Sequence, residues 1–215
     1  MSDFIRARTD EQKAQRVEEI KSATETLFSS HPYHEITLAT IAEELGWSRA
    51  SLYKYVVTKE EVFLSIITDK RTAYVNALLT ALPNDCGFGV ETIAEIWAGI
   101  ANAHREFFRY GDILYTIVET NVSVKKLVDF KRNYYQDIER MKEQLVPVLD
   151  IETDRFELLF NAIYHQGIGL CCSCMDNPLI KEAVSQLGIK PFHVDFRSEM
   201  KDFILMSLVW YQQKK

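Results

Sequence analysis

Hydrophobic positions recur every three or four residues along most of the chain, a spacing typical of amphipathic α-helices. Ahead of Pro32, one such stripe consists of Val17, Ile20, Ala23, Leu27 and Phe28. No window shows the strict alternation of a half-buried β-strand. The five prolines are well separated and stand between the helical stretches. The pattern therefore predicts an all-α protein.

Four helices are predicted in the first part of the chain. The first begins near residue 9 or 10 and ends near residue 30. The second follows Thr37, which is placed to cap it, and stops at Gly46. A third, about two turns long, starts at Ser48, and a fourth starts at Thr58, where Glu61 has the spacing of a capping box. This fourth helix is expected to extend to about residue 82.

Longer helices are predicted in the remainder of the chain. They lie near residues 89–110, 112–121, 124–146, 153–176 and 192–212, with a shorter helical turn after Pro178. We find no internal repeat, low-complexity tract or flexible linker in the sequence.

The second and third predicted helices have the spacing of a helix-turn-helix. Two helices that cross closely need a small residue at the contact, here Ala42, and a residue that tolerates a left-handed backbone in the turn, here Gly46. Apolar anchors stand on both sides of the turn, namely Ile41, Leu45, Leu52 and Tyr55. Packing uses the inner face of the short helix, so six residues are expected to face outward: Ser48, Arg49, Ala50, Ser51, Tyr53 and Lys54.

This outward face has the chemistry of DNA recognition. An arginine such as Arg49 can hold guanine O6 and N7 with two hydrogen bonds, and the methyl of Ala50 can touch a thymine methyl. Serine can contact either a base edge or a phosphate. A solvated surface helix would also carry Ser, Arg and Lys outward, but the cap, turn and anchor positions favour DNA binding because they specify a geometry.

Contacts to the DNA backbone are predicted around this face. Tyr53 and Lys54 have the reach for the sugar-phosphate backbone. Thr37 and the Thr58-Lys59 pair lie at helix N-termini, where free backbone N–H groups favour a phosphate.

Charge restricts these contacts to a local surface. The chain has 215 residues and a net charge of −6, with 47% hydrophobic and 26% charged residues, as in an ordinary globular protein. Such a balance argues against a partner that is bound through bulk positive charge. Residues 45–59 nevertheless contain no acid. A carboxylate there would repel phosphates, so its absence fits a DNA-binding surface.

The stretch ITLATIAEELGWSRASLYKYVVTKEEVF, residues 36–63, resembles the DNA-binding segment of the TetR family of bacterial transcriptional regulators. The resemblance covers about the first 65 residues. The matching positions are Thr37, Ile41, Ala42, Gly46, Ser48, Leu52, Tyr53, Tyr55 and Lys59 to Glu61. The chain departs from the family pattern at Val56, where an aromatic residue is usual.

The resemblance implies a protein in two parts: a helix-turn-helix DNA-binding domain, residues 1–57, and a helical regulatory and dimerisation domain, residues 58–215. It further implies a homodimer built on the last two long helices and a C-terminal cavity whose ligand alters DNA affinity. We expect a ligand-responsive regulator, a repressor that binds a double-stranded inverted-repeat operator and is released by a small molecule. The alternative is an architectural or partner-recruiting DNA-binding protein of the same fold without a small ligand.

The C-terminal part is rich in aromatic residues at helical spacing. Such residues can line a cavity for a small apolar or aromatic ligand, or they can simply fill the core. The candidate ligand-binding residues are Trp97, His104, Phe107, Phe108, Tyr115, Tyr134, Phe160 and Tyr164.

Three of the four cysteines, Cys171, Cys172 and Cys174, lie near the end of a predicted helix. The helix dipole there opposes a thiolate, which disfavours redox chemistry. The spacing of Gly167, Cys171 and Cys174 instead predicts a strip of small side chains that lets another helix approach closely. A sensing role for these thiols is left open by the sequence.

Other classes of protein have little support in the sequence. It contains no Gly-rich phosphate loop, no H-E-x-x-H and no G-x-S-x-G, so we expect neither an enzyme nor a cofactor or metal site. The N-terminus lacks the apolar segment of a signal peptide, and the run FILMSLVW is too short to span a bilayer. These features predict a cytoplasmic protein with no membrane partner.

Overall fold

The computed structural model describes residues 10–173, 178–188 and 194–213. These ranges form helices joined by short turns, and they contain no strand, which confirms the predicted all-α fold. The helices are α1 (Asp10–Ser30), α2 (Leu38–Glu44), α3 (Arg49–Leu52), α4 (Lys59–Ala81), α5 (Val90–Ala103), α6 (Arg105–Arg109), α7 (Gly111–Ile113), α8 (Val124–Leu149), α9 (Phe156–Ser173), α10 (Pro178–Gln186) and α11 (Phe196–Gln212). Within the described ranges, no helix has the length and hydropathy needed to span a bilayer.

The N-terminal helices α2 and α4 begin directly after the capping residues predicted from the sequence. The Thr37 hydroxyl accepts a hydrogen bond from the Thr40 amide at 3.1 Å and caps α2. Gly46 adopts a φ of +67°, the left-handed conformation that ends this helix. At the start of α4, the Glu61 amide donates to the Thr58 hydroxyl at 3.2 Å. The Glu61 carboxylate lies 3.9 Å from Lys126 Nζ.

Several boundaries differ from the predicted ones. The helix expected over residues 89–110 is interrupted at His104, whose φ of −110° and ψ of 32° lie outside the helical region. α3 has four residues, one turn instead of two. α8 continues through Pro147 to Leu149, beyond the end predicted at residue 146. α10 has nine residues, more than the single turn predicted.

The chain divides into two compact units. The first unit contains Met1–Asp69 and Ile113–Arg132, and the second contains Lys70–Asp112 and Asn133–Lys215. α4 and α8 each contribute residues to both units. The domain boundary between residues 57 and 58 stays a prediction.

The core of the first unit joins α1, the 3₁₀ turn Tyr33–Glu35 and α4. The ring of Phe63 lies 5.3 Å from that of Phe28 and 5.0 Å from that of Tyr33. Lys21 bridges α1 to α4, since its Nζ lies 2.5 Å from the Asp69 carboxylate. These contacts fix the helices that carry the helix-turn-helix.

The core of the second unit is built by α11 packed on α5 and α9, and by α6 packed on α9. A buried Trp97 donates its indole N–H to the Tyr74 hydroxyl at 2.6 Å. A buried ion pair joins Arg71 Nε to Asp137 Oδ2 at 3.0 Å. The Tyr74 hydroxyl thus supplies the acceptor that the buried indole N–H of Trp97 requires.

Small residues on α9 allow the close approach of α6. Phe108 crosses α9 directly over Gly167, and the Cys171 thiol donates to the Arg105 carbonyl oxygen at 3.7 Å. The strip of small side chains predicted from Gly167 and Cys171 is therefore confirmed, while Cys174 lies outside the described residues.

This close approach predicts a contrast between two helix glycines. A Cβ on Gly167 would lie 2.6 Å from Phe108 Cε1, whereas the nearest atom to a Cβ on Gly99 is Arg197 Nη2 at 3.8 Å. We expect Gly167→Ala to lower the free energy of unfolding by about 1–3 kcal/mol through overpacking. Gly99→Ala should raise it by about 0.5–1 kcal/mol, because alanine is the better helix former. Urea denaturation of both variants measures this, and equal effects would contradict the packing.

Candidate functional site

The short helix α3 is fixed at its start by Ser48. The Ser48 hydroxyl accepts a hydrogen bond from the Ser51 amide at 3.2 Å and lies 3.0 Å from the Ser51 hydroxyl. Leu52 and Val56 are buried and attach the helix to the first unit. The apolar anchor predicted at Leu52 is thus in place, and the smaller Val56 also packs inward.

Six of the eight predicted DNA-contacting residues are exposed. They are Thr37, Ser48, Arg49, Ala50, Tyr53 and Lys54. Five of these lie on α3 or directly beside it, and Tyr53 is 57% exposed. The structure therefore brings a basic, hydroxyl-rich surface together on one short helix.

Ser51 does not face outward as predicted. It is only 8% exposed, and its hydroxyl is bonded to the cap residue Ser48. In a helix of one turn, the residue three positions after the cap bonds back to it, and here that residue, Ser51, is buried against the first unit. The predicted outward placement of this residue was wrong.

Lys59 also differs from its predicted role. Its ammonium nitrogen donates to the carbonyl oxygens of Tyr33 at 2.9 Å and Ile36 at 2.6 Å. Burial lowers the pKa of Lys59 from its ordinary value, opposed by the neighbouring Glu60 carboxylate. The side chain that was expected to contact a phosphate is used inside the first unit.

A stack of side chains missed by the sequence analysis supports the turn before α3. The guanidinium of Arg16 lies 5.0 Å from the ring centroid of Trp47, and the Trp47 ring lies 5.9 Å from that of Tyr55. Arg16 is itself held by Glu19 at 2.6 Å. Only the position of Trp47 directly before the cap residue Ser48 could have indicated this stack, because Arg16 lies far away in sequence.

The structure brings four of the predicted ligand-binding residues together in the second unit. Trp97, Phe107, Phe108 and Tyr164 are buried. The rings of Phe107 and Phe108 contact the ring of Tyr74, and Trp97 bonds to the Tyr74 hydroxyl. Ring centroids lie 4.8 Å apart for Phe107 and Tyr164 and 5.3 Å apart for Phe107 and Phe108. These distances are those of packed aromatic pairs.

The other candidate ligand residues in the second unit lie around this cluster. His104 is half-buried, and burial, with a smaller effect of Lys70, lowers its pKa. Phe160 stacks on Phe156 with the centroids 6.3 Å apart. The Tyr134 hydroxyl donates to Asn161 Oδ1 at 3.2 Å.

Tyr115 belongs to the first unit. It lies in the π-helical turn Leu114–Val118 and is 45% exposed. Its role as a ligand-binding residue stays a prediction. Helical periodicity gave no sign that this turn belongs with the N-terminal helices.

The second unit also has a polar groove that the sequence analysis missed. Its volume is about 540 Å³, and it lies between α4 and α8. The lining residues are Asn76, Leu79, Thr80, Asn84, Arg140, Glu143 and Gln144. Arg140 donates to the Asn76 side chain at 2.9 Å, and Gln144 donates to the Leu82 carbonyl oxygen at 2.9 Å. The only sequence signal was the four-residue spacing of polar residues along each helix.

Two family models match the chain. Residues 20–66 match the model described as bacterial regulatory proteins of the tetR family. Residues 68–209 match the model of the tetracyclin repressor-like C-terminal domain. The chain belongs to the TetR family.

Solved structures of other TetR-like regulators share its fold. The fatty acid degradation regulator FadR from Bacillus halodurans is 13% identical, with a TM-score of 0.60 over 94% of this chain and 97% of that one. A tetR-family regulatory protein from Rhodococcus RHA1 is 16% identical, with a TM-score of 0.58 over 91% and 96%. AmtR from Mycobacterium smegmatis is 18% identical, with a TM-score of 0.51 over 94% and 89%. No curated protein matches the sequence.

Membership of the TetR family gives the protein its general role. TetR-family proteins are DNA-binding transcriptional regulators and not enzymes, and they usually act as dimers that respond to small molecules. The exposed face of α3 belongs to the segment matched by the N-terminal model. The protein is therefore a TetR-family transcriptional regulator.

Two substitutions of Ser48 separate its capping role from its place on the DNA-binding face. Ser48→Ala should lower the free energy of unfolding by about 1 kcal/mol, whereas Ser48→Asp retains a cap acceptor and should remain close to the wild type. On DNA the order should reverse, because the aspartate places a carboxylate beside the phosphates. Thermal unfolding and fluorescence anisotropy with a selected duplex measure the two effects. Equal DNA affinity of the two variants would remove Ser48 from the interface.

Proposed function

We propose that the protein is a ligand-responsive repressor that binds an inverted-repeat operator as a homodimer and is released by a small molecule. The exposed, acid-free face of α3 carries this proposal. Its residues combine a group that can read guanine with groups that can hold the DNA backbone, on an α-helix, an element that fits the width of the major groove.

Each residue on this face has a distinct proposed role. Arg49 reads a guanine through two hydrogen bonds, and Ala50 contacts a thymine methyl. Tyr53 and Lys54 hold the sugar-phosphate backbone and fix the register of α3 on the duplex. Thr37, at the start of α2, supplies an additional contact to a DNA phosphate.

The homodimer is proposed to form through α9 and α11. Apolar side chains remain exposed on both helices: Leu158, Met206, Val209 and Trp210. A second copy is the occupant that fits this surface, because one four-residue recognition helix touches too few base pairs to select a site alone. Two copies would place two such helices on half-sites about one helical turn apart, ~34–36 Å or somewhat more.

Release by a ligand is proposed to act through α4. This helix begins beside the helix-turn-helix and contributes residues to both units. A ligand can change DNA affinity only by binding one arrangement of the two recognition helices more tightly than another. The ligand is a small apolar or aromatic molecule that inserts among the aromatic residues of the second unit.

A second candidate function has a specific observation in its favour. The rings of Phe107, Phe108 and Tyr164 already pack against one another. A core that is filled in this way also suits a protein of the same fold that recruits a partner and binds no small ligand. Genome fragments that the protein binds can be selected from the source genome, and they identify the operator and its neighbouring genes. The response of the operator complex to the metabolites of those genes decides between the two functions. Release of the operator by metabolites of the neighbouring genes supports the ligand-responsive repressor, and resistance to all of them supports the alternative.

The base-reading role of Arg49 predicts a loss that depends on the DNA sequence. Arg49→Ala should weaken binding to the selected operator by about 1–3 kcal/mol and relax the preference at one base position. Lys54→Ala should weaken binding to all sequences alike. Anisotropy titrations on the operator and on its single-base variants measure both effects. Equal losses for Arg49→Ala on operator and random DNA would exclude it from base reading.

The proposed dimer surface predicts that one exposed leucine matters and another does not. Leu158 on α9 is 60% exposed, and Leu187 beyond α10 is 69% exposed. Leu158→Glu should dissociate the dimer, because a carboxylate would be buried between the copies, whereas Leu187→Glu should leave it intact. Sedimentation equilibrium at micromolar concentration measures the mass. A monomeric wild type, or an intact dimer of Leu158→Glu, would contradict this interface.

A further inference from the structure

The first residues of α4 hold the 3₁₀ turn that precedes α2. Lys59 Nζ donates to the carbonyl oxygens of Tyr33 and Ile36, at 2.9 and 2.6 Å. The same nitrogen lies 3.9 Å from the centroid of the Tyr33 ring. Two carbonyl dipoles and one aromatic face therefore surround a single positive charge.

This arrangement uses the hydrogen-bonding capacity of the ammonium group. A lysine has three N–H donors, and two of them reach carbonyl oxygens here. The remaining side of the charge is covered by the Tyr33 ring, in the geometry of a cation–π contact. A phosphate contact would require Lys59 to break bonds that are already formed in the free protein.

The tyrosine is fixed from a second side. Its hydroxyl donates to Glu60 Oε1 at 2.7 Å, and its ring packs 5.0 Å from that of Phe63. Lys59, Glu60 and Phe63 all belong to the start of α4. We call Tyr33 and these three residues the clasp.

The clasp ends next to the first residue of the helix-turn-helix. Ile36, whose carbonyl oxygen Lys59 holds, is 1% exposed, and the following residue, Thr37, caps α2. The Ile36 carbonyl group therefore lies directly before the residue that caps α2. α2 leads through the turn at Gly46 to the exposed face of α3.

We propose that Lys59 is a positioning residue for DNA recognition and not a phosphate contact. It holds the Tyr33 and Ile36 carbonyls so that α2 and α3 keep the arrangement that fits the major groove. Without the ammonium group, the two carbonyls lose their partner and the free protein occupies the binding-competent arrangement less often. The apparent affinity for DNA falls in proportion to the population of that arrangement, while the number of phosphates neutralised stays the same. This inference rests on the proposed DNA recognition by α3.

Salt dependence separates positioning from phosphate contact. Lys59→Met keeps the length of the side chain and removes its charge, and Lys54→Met is the matched change on the exposed face. We expect Lys59→Met to weaken operator binding about tenfold, the order of one charge-assisted hydrogen bond. The slope of log K against log salt should not change for this variant. Lys54→Met should reduce the slope by about 0.9 per subunit. An equal reduction for Lys59→Met would overturn the proposal.

A variant of Tyr33 tests whether loss of stability alone explains the effect. Tyr33→Phe removes the hydrogen bond to Glu60 but leaves both carbonyl contacts of Lys59. It should lower the unfolding temperature without weakening the operator complex at a temperature where the protein is folded. A loss of affinity in Tyr33→Phe as large as that in Lys59→Met would mean that any weakening of this region has the same effect, and the specific role of Lys59 would be wrong.

A measurement without DNA tests the clasp itself. In thermal unfolding, Lys59→Met should be less stable than Lys54→Met, because the Tyr33 and Ile36 carbonyl oxygens lose their donor. Equal unfolding temperatures of the two variants would contradict the clasp even if DNA binding is normal. A wild-type protein that selects no DNA sequence would instead contradict the proposed function, and the lower stability of Lys59→Met would still support the carbonyl contacts.

Discussion

The recognition surface depends on a helix that has no stability of its own. α3 has four residues, one turn, and nucleation of a single turn fixes several backbone angles in return for one hydrogen bond. It persists because its surroundings hold it: the Ser48 cap at its start, buried Leu52 at its end, and the left-handed Gly46 in the preceding turn. DNA recognition by this protein is therefore a property of the whole first unit.

Local chemistry explains which features could be predicted from the sequence. Thr37, Gly46 and Ser48 act through bonds or backbone angles within a few residues, so their roles follow from residue type and spacing. The outward placement of Ser51 was wrong, and the carbonyl partners of Lys59 were missed, for the opposite reason. The burial of Ser51 and the carbonyl partners of Lys59 depend on how separate segments pack, and a pattern of apolar positions contains no such information.

The pattern of apolar positions is equally insufficient to predict ligand-binding residues in the second unit. Aromatic residues at helical spacing predict an apolar interior, and Phe107, Phe108 and Tyr164 do lie in one. Periodicity does not distinguish the wall of a cavity from a filled core, because both require the same inward-facing positions. Packing on the other side of each ring decides between them. Gly167 is the informative residue, since its lack of a side chain lets Phe108 rest directly on α9.

Charge imposes a further condition on how the protein finds its operator. With a net charge of −6, the chain as a whole is repelled by DNA, so we expect the sequence-independent attraction that dominates many complexes to be weak here. If Lys59 makes no phosphate contact, as proposed, that attraction is weaker still, and Lys54 and Arg49 are the basic residues of the α3 face. Specificity improves under these conditions, because competing non-specific sites lose affinity while the base contacts remain. The accuracy with which α3 is positioned then matters more than the number of positive charges. A Lys59 ammonium group that holds the turn, and not a phosphate, is consistent with this greater importance of positioning.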